Sequence, residues 1–423
     1  MKLTPYWTDD YPRPSDLAVT ANLPNETDVV VVGSGYTGLS AARTLAKRGV
    51  AVTVVESETI GWGASSRNAG ITGCSLKQKT PTIFKWYGEE YGRKFWEISL
   101  DALELIKELV YEEGIECDWH QNGDMCVYYK PSHYEEDPEW KHWHADNLDH
   151  ELELVAPADL RSVIGSDAYY GGVIDAHGAD LHPAKLVFGM AEVAAKYGAF
   201  LCENTSVTRI EKQPNGYLVH TGRGRVQAKQ VIVCTNGYTD GVVRGLRSRV
   251  IPVGSYSIVT EPLPDDLQRE ISPRGLTFWD SKWFLNYFRL TPDGRMLWGG
   301  RNNLSTTLDL VESAEILRKE MVQAFPQLSN VPITHSWTGQ LGLTFDLMPH
   351  IGQIDGVYYA LGFGGHGLHT AIYLGREVAQ LITGEKASSP FAEIPHRKYF
   401  FYRNKPWFMP LAVMFYRIRD WLS

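Results

Sequence analysis

The 423 residues exceed what one simple core accommodates, so two closely joined domains are expected. A net charge of −9 argues against a nucleic-acid partner, which needs a basic face, and 43% hydrophobic with 22% charged residues is the composition of a soluble globular protein. Five dispersed cysteines (Cys74, Cys117, Cys126, Cys202 and Cys234) form no Cys-x-x-Cys pair and suit reduced thiols in a cytoplasmic compartment, not a disulfide framework.

In chain order, residues 1–27 read as an irregular lead-in, and Met1 to Pro14 lacks the apolar run of a secretory leader. Residues 28–56 carry the strongest signal. Val29 to Val32 predict a buried strand, Gly33-Ser34-Gly35-Tyr36-Thr37-Gly38 a glycine-rich turn, Leu39 to Arg48 a helix, and Val50 to Val55 a second strand ending in Glu56. Each part has a task on a dinucleotide. Gly33 allows the tight turn, Gly35 clears space for a pyrophosphate, and Gly38 lets helix and strand approach. The helix N-terminus offers N–H groups and partial positive charge to the phosphates. Glu56, about twenty residues further on, suits ribose hydroxyls and disfavours the 2′-phosphate of NADP.

The small residues from Gly61 to Gly70 let the chain fold against a large flat ligand, with Arg67 and Asn68 as donors to a pyrophosphate or ring edge; a plain surface turn is the other reading. Residues 81–113 have a helical apolar face ending at Gly114, and Met125 to Tyr129 predict a strand. Ser132 to Asp149 is polar and helical in pattern; His142 and His144 read as solvated surface there, and no metal site is expected. A helix over Ala184 to Tyr197 precedes strands at Val207 to Ile210, Tyr217 to His220 and Val226 to Cys234. The last of these stops in Thr235-Asn236-Gly237, a usual place for a nucleotide edge and equally the end of any buried strand. Strands follow at Pro252 to Thr260 and Trp283 to Leu290, then a helix over 311–325.

Near the end, Val357 to Leu361 feeds a second glycine-rich loop, Gly362-Phe363-Gly364-Gly365-His366-Gly367, that opens a helix from Leu368 to Ile382. A nicotinamide enzyme needs one such turn; two invite a longer ligand, and FAD fits. The second helix N-terminus would face the flavin pyrimidine, where negative charge develops on reduction. His366 and His369 are the titratable candidates nearest that chemistry, with His366 the preferred one. The tail from Trp407 to Tyr416 is strongly apolar and is followed by Arg417, Arg419 and Trp421. It is too short to span a bilayer; it docks on the body as a final helix or lies in a membrane interface.

These motifs resemble, in order and over nearly the whole chain, the FAD-dependent glycine/D-amino acid oxidase (DAO) family: Gly33 to Gly38, Ala64 to Gly70, Asn236-Gly237-Tyr238 and Gly362 to Gly367. Ile60 to Ser65, Tyr287-Phe288-Arg289-Leu290, Trp337-Thr338-Gly339-Gln340 and Pro349 to Gly352 are similar to its gamma-glutamylputrescine oxidase branch. The resemblance implies an α/β fold: a Rossmann-like FAD-binding domain (28–80, 155–240 and 335–385) plus an α+β substrate domain with a mixed or antiparallel sheet (81–154 and 241–334). Residues 386–423 would form an apolar helical tail. It implies FAD contacts at Gly33, Gly35, Tyr36, Thr37, Gly38, Glu56, Ser57, Gly63, Ala64, Ser65, Arg67, Asn68, Ala69, Gly70, Val207, Thr235, Asn236, Gly237, Gly339, Gly364, Gly365, His366, Gly367 and Leu368.

The implied activity is oxidation of a C–N bond of an amine or amino acid by hydride transfer to flavin N5, giving an imine that hydrolyses. Oxygen or quinone would be the electron acceptor. A covalent link through a C-terminal cysteine is excluded because none follows Cys234, so FAD is expected to be non-covalent. Tyr256, Trp279, Trp283, Tyr287, Phe288 and Arg289 come from strands the family places over the flavin, or pack in the second domain's core. Strand alternation puts Tyr287 and Arg289 on one face, and these two are chosen for the pocket, Arg289 as a carboxylate clamp. Two further readings remain: a membrane-associated dehydrogenase of an amino acid or 2-hydroxy acid passing electrons to quinone, and a non-catalytic flavin-binding subunit or sensor. The expected location is cytoplasmic, or peripheral on the inner face of a membrane.

Overall fold

The computed structural model describes residues 1–300, 304–402, 406–411 and 413–415, without the side chains of residues 137–139. The valine run forms the strand Glu26–Val32, at the middle of an eight-stranded sheet. It pairs in parallel with Val52–Val55 on one side and Gly224–Val233 on the other. Val29, Val30 and Val31 are buried, as a parallel strand covered on both faces requires. Phe200–Cys202 and Val357–Leu361 extend the parallel set, and His350–Ile354 closes one edge antiparallel. Val207–Gln213 and Gly216–Thr221 form an antiparallel appendage.

Two helices bind this sheet's glycine turns to each other. Tyr36–Ala46 packs against Gly367–Thr383, and a Cβ at Gly375 would collide with the Thr37 carbonyl oxygen. The Ser40 hydroxyl also donates to the Ile372 carbonyl at 2.5 Å. Sequence segments more than three hundred residues apart therefore meet with a fixed spacing.

A second eight-stranded sheet runs in the order Ile333–Leu343, Ile251–Pro262, Arg295–Gly300, Tyr287–Leu290, Thr277–Asp280, Asp124–Val127, Gly172–Asp175, Glu153–Val155. It is antiparallel except where Thr277–Asp280 meets Asp124–Val127. Its members depart from the expected domain boundaries. Gly172–Asp175 pairs with Asp124–Val127, and Ile333–Leu343 pairs along Ile251–Pro262, although the expected boundaries place the first and most of the second in the nucleotide domain. Long-range edge pairing decides their place, and a strand's own residues do not encode it.

Other expectations change locally. The lead-in is anchored: Tyr6–Asp10 is helical, and Trp7 is fully buried with its indole N–H donating to the Asn68 carbonyl at 2.8 Å. Helix Thr80–Tyr111 breaks at Gly88, whose φ of 83° is left-handed. The strand expected from Trp283 starts only at Tyr287. Asp280 Oδ1 accepts from the N–H groups of Lys282 (3.3 Å) and Asn286 (3.1 Å), which folds the intervening residues into a turn. His142 is exposed as expected, but His144 is buried in helix Pro131–Leu148 against Trp140, with ring centroids 4.0 Å apart.

In the tail, the buried Tyr402 hydroxyl donates to the Val250 carbonyl at 2.9 Å, and Phe408, Met409 and Val413 pack on the cluster of Ile251, Val253, Leu304 and Tyr402. Trp407, Leu411, Met414 and Phe415 are exposed, while Arg417, Arg419 and Trp421 lie outside the described residues. No helix among the described residues is long and apolar enough to cross a membrane.

Candidate active site

The glycine turn is built from backbone demands. Gly33 has a φ of +100°, and a Cβ on Gly38 would collide with the Gly33 carbonyl oxygen. Gly35 starts the helix with no side-chain cap, and a Cβ there would stand 2.8 Å from Ser65 Oγ. That hydroxyl accepts from the Tyr36 N–H at 2.9 Å. Glu56 is fixed by the same turn. Its Oε2 accepts from the Ser34 N–H (2.9 Å) and the Ser34 hydroxyl (2.8 Å), and its Oε1 from Ser57 Oγ (3.1 Å) and the Glu58 N–H (3.0 Å). The carboxylate stands ready-oriented at the end of the second strand.

The loop from Gly61 to Gly70 folds over this turn through its own side chains. Asn68 Nδ2 donates to the carbonyls of Ala64 (3.1 Å) and Ser65 (3.0 Å), and its Oδ1 accepts from the Gly70 N–H (2.8 Å). Asn68 thus shapes the loop through its own side-chain amide. Arg67 stacks on Trp62, its guanidinium carbon 4.4 Å from the ring centroid, and donates to the Trp62 carbonyl at 2.7 Å. Among the described residues no carboxylate pairs with Arg67, and burial lowers its pKa. A half-buried cation without a carboxylate partner favours an anionic ligand group.

The second loop closes on the first. Gly362, Gly364 and Gly365 all have positive φ, and His366 precedes helix Gly367–Thr383 without capping it. Asn236 Oδ1 accepts from the Gly362 N–H at 3.0 Å and so ties the end of Gly224–Val233 to this loop. His366 is half-buried and His369 buried, and both line the cavity. His369 Nε2 donates to the Ser75 carbonyl (2.9 Å), Nδ1 faces Thr72 Oγ1 (3.1 Å), and burial holds its pKa down at about 4, so the ring is neutral.

A cavity of about 1690 Å³ joins these features. Of the expected cofactor contacts, Gly33, Gly35, Tyr36, Thr37, Glu56, Ser57, Gly63, Ala64, Ser65, Arg67, Asn68, Ala69, Val207, Thr235, Asn236, Gly339, Gly365, His366, Gly367 and Leu368 line it. Gly38, Gly70, Gly237 and Gly364 instead serve close packing behind the wall. A Cβ on Gly70 would hit the Leu181 carbonyl oxygen, one on Gly237 would stand 2.8 Å from the Gln340 oxygen, and one on Gly364 2.9 Å from Lys77 Cγ.

The second sheet supplies the opposite wall. Tyr287 and Trp279 are cross-strand partners and both face the cavity; the Tyr287 hydroxyl lies between Ser255 Oγ (3.0 Å) and Ser257 Oγ (3.2 Å). Trp283 also lines it, whereas Tyr256 and Phe288 are buried core residues. The expected carboxylate clamp is not there. Arg289 is 1% exposed, pairs with Asp180, donates to the Leu181 carbonyl at 2.8 Å and stacks over Trp7. It shares the face of Tyr287 but stands one step beyond the cavity, joining the second sheet to Ala179–Asp180 and the lead-in. Sequence reasoning missed the loop Thr72 to Ser75, Asp124, and the Trp96, Trp140 and Trp143 wall. None of these has a local motif, because they come from separate elements.

A flavin dinucleotide fits this arrangement: an acid at the end of the second strand, a cradle that a Cβ at Gly35 would fill, a half-buried arginine with no carboxylate partner among the described residues and a second helix N-terminus lie along one cavity. Fold and site together define a two-domain flavoprotein oxidoreductase. The chain matches the family of FAD dependent oxidoreductases (DAO) over residues 28–381 and belongs to it; it is an enzyme. It is 34% identical over 402 residues to the gamma-glutamylputrescine oxidoreductase of Escherichia coli (strain K12), covering 94% of this chain and 93% of that one. Its fold is that of glycine oxidase from Geobacillus kaustophilus (TM-score 0.74, 21% identity, 88% of this chain and 100% of that one). The L-proline dehydrogenase of P. horikoshii shares the fold too (TM-score 0.71, 24% identity, 86% and 95%).

Proposed function

We propose that this enzyme oxidises a C–N bond of a small amine or amino acid, with FAD held non-covalently and oxygen as its oxidant. The observation that carries the reading is the single cavity bounded by the second glycine loop on one side and by Tyr287 and Trp279 on the other. The 34% identity to an oxidoreductase named for a polyamine derivative supports the substrate class. When bound, FAD accepts a hydride from the carbon next to the substrate nitrogen. The chain's residues prepare that event. Glu56 takes the ribose hydroxyls, and the first turn of Tyr36–Ala46 faces the phosphates.

At the substrate end, Tyr287 and Trp279 exclude water. Desolvation penalises an ammonium and so favours the neutral amine that can give up a hydride. The His366 imidazole, at the cavity wall, takes the ammonium proton. Non-covalent attachment is supported by the cysteines: all five are buried, and burial pushes the Cys117 thiol up to about 12 and Cys234 higher still. Neither thiol forms a thiolate readily.

Aerobic turnover of the purified flavoprotein with a panel of secondary amines, N-methyl amino acids, polyamines and gamma-glutamyl amines tests the reading. Carbonyl product and hydrogen peroxide in equal amounts support it. Product formed without peroxide, in the presence of a quinone, favours the dehydrogenase reading, whose structural support is the exposed Trp407, Leu411, Met414 and Phe415 of the tail. Acid precipitation checks the attachment, and yellow colour retained in the pellet contradicts the non-covalent assignment.

A further inference from the structure

On one wall of the cavity, three segments distant in sequence bring together Cys74, His150, Asp175 and His177, the first three of which line it. Their Sγ, ring nitrogen and carboxylate atoms all lie within 4.8 Å of one another. Asp175 is the hub. Its Oδ2 meets Cys74 Sγ at 3.2 Å and His150 Nε2 at 3.0 Å, and its Oδ1 meets His177 Nδ1 at 3.2 Å. The scaffold is ordered around them. Ser99 Oγ donates to the Cys74 carbonyl at 2.8 Å, the His177 N–H donates to Asp175 Oδ1 at 2.9 Å, and Trp96 lies edge-on to His150 with centroids 4.8 Å apart.

From this geometry we infer that Cys74, His150, Asp175 and His177 form a tetrahedral site for a divalent ion of the zinc class. One thiolate, two imidazoles and one carboxylate are a donor set that Zn²⁺ accepts, and four protein ligands make a closed, structural site. Donors around such an ion stand about 3.5 Å apart, close to the spacings present. Charge agrees. The thiolate and the Asp175 carboxylate together neutralise a divalent ion, and the Asp124 carboxylate, which accepts from the Trp279 indole at 2.9 Å, lines the same cavity. Among the described residues no Lys or Arg pairs with Asp124 or Asp175. Cys74 and His150 are buried, and the partly exposed His177 gives the ion an entry path. Binding releases the Cys74 proton to solvent and involves no redox change. The ion would fasten the loop after Ile71–Thr72 to the strand Gly172–Asp175 and to the segment after helix Pro131–Leu148. It is a structural clamp on the cavity wall, independent of which substrate the cavity takes.

The test uses the flavin-loaded full chain, exposed to Zn²⁺, passed through a weak chelator and assayed for metal and for flavin. A single Zn²⁺ per chain is expected. Cys74→Ser and His177→Ala should each weaken zinc binding by more than ~100-fold, the upper end of what outer-shell changes produce, while flavin content stays at the wild-type level. Co²⁺ in place of Zn²⁺ should give tetrahedral d–d absorption to the red of the flavin bands, lost in Cys74→Ser. If Cys74→Ser folds poorly, His177→Ala at the rim carries the test. Zinc-free wild-type protein with full flavin overturns the site, and so does equal zinc retention by the His177→Ala variant.

Discussion

The Tyr36 N–H donates to the Ser65 hydroxyl at 2.9 Å, so the first turn of the dinucleotide helix is locked to the loop that folds over it. Gly35 lies under that bond, with room for no side chain. Helix N-terminus and covering loop therefore act as one cradle.

The first prediction follows directly. Gly35→Val should abolish FAD binding, because its branched side chain meets Ser65 and blocks the approach of a phosphate. Flavin absorbance per chain after purification measures it. Retained FAD would contradict the placing of the pyrophosphate.

Glu56→Ala removes the acceptor for the Ser34 N–H and hydroxyl as well as the ribose partner. An unsatisfied donor costs about 1–3 kcal/mol, so FAD affinity should fall by roughly tenfold to a hundredfold. Fluorescence titration of the apoprotein with FAD checks this.

Arg289 serves stability. Arg289→Ala strands Asp180 in a buried setting, and breaking such a pair costs about 3–5 kcal/mol. The melting temperature should drop clearly, and Asp180→Leu in the Arg289→Leu background should recover part of it. A variant with unchanged melting temperature and a raised KM for carboxylate substrates would restore the clamp reading.

The pH dependence of stability has a definite sign. Burial lowers the His369 pKa to about 4, and that of His182 likewise to about 4, from a usual 6.5. Such groups fold neutral and bind protons more readily when unfolded. Their contribution is full above pH 6.5 and is lost as pH falls from 6.5 towards 4. Melting temperatures across that window should decline, and His369→Gln should flatten the decline.

Local chain signals made much of the cradle legible. Gly33 to Gly38, Glu56 and Gly365 to Leu368 are neighbours in sequence, and their spacing is their function. Alternation set the shared face of Tyr287 and Arg289 but not how far along the strand the cavity extends, and the boundary falls between them. The turn before Tyr287 depends on Asp280, whose capping bonds outweigh the apolar pattern of Trp283 to Leu285. Cys74, His150, Asp175 and His177 come from three segments that no spacing rule links. Their proximity is a product of the second sheet and of the pairing of Ile71–Thr72 with Ala179–Asp180.

Anaerobic addition of amines and amino acids to the flavin-loaded enzyme tests the central claim most directly. Loss of the oxidised flavin absorbance with at least one member of the panel, restored on admitting air, is the predicted result. A flavin that stays oxidised with every amine yet bleaches with a 2-hydroxy acid would contradict it.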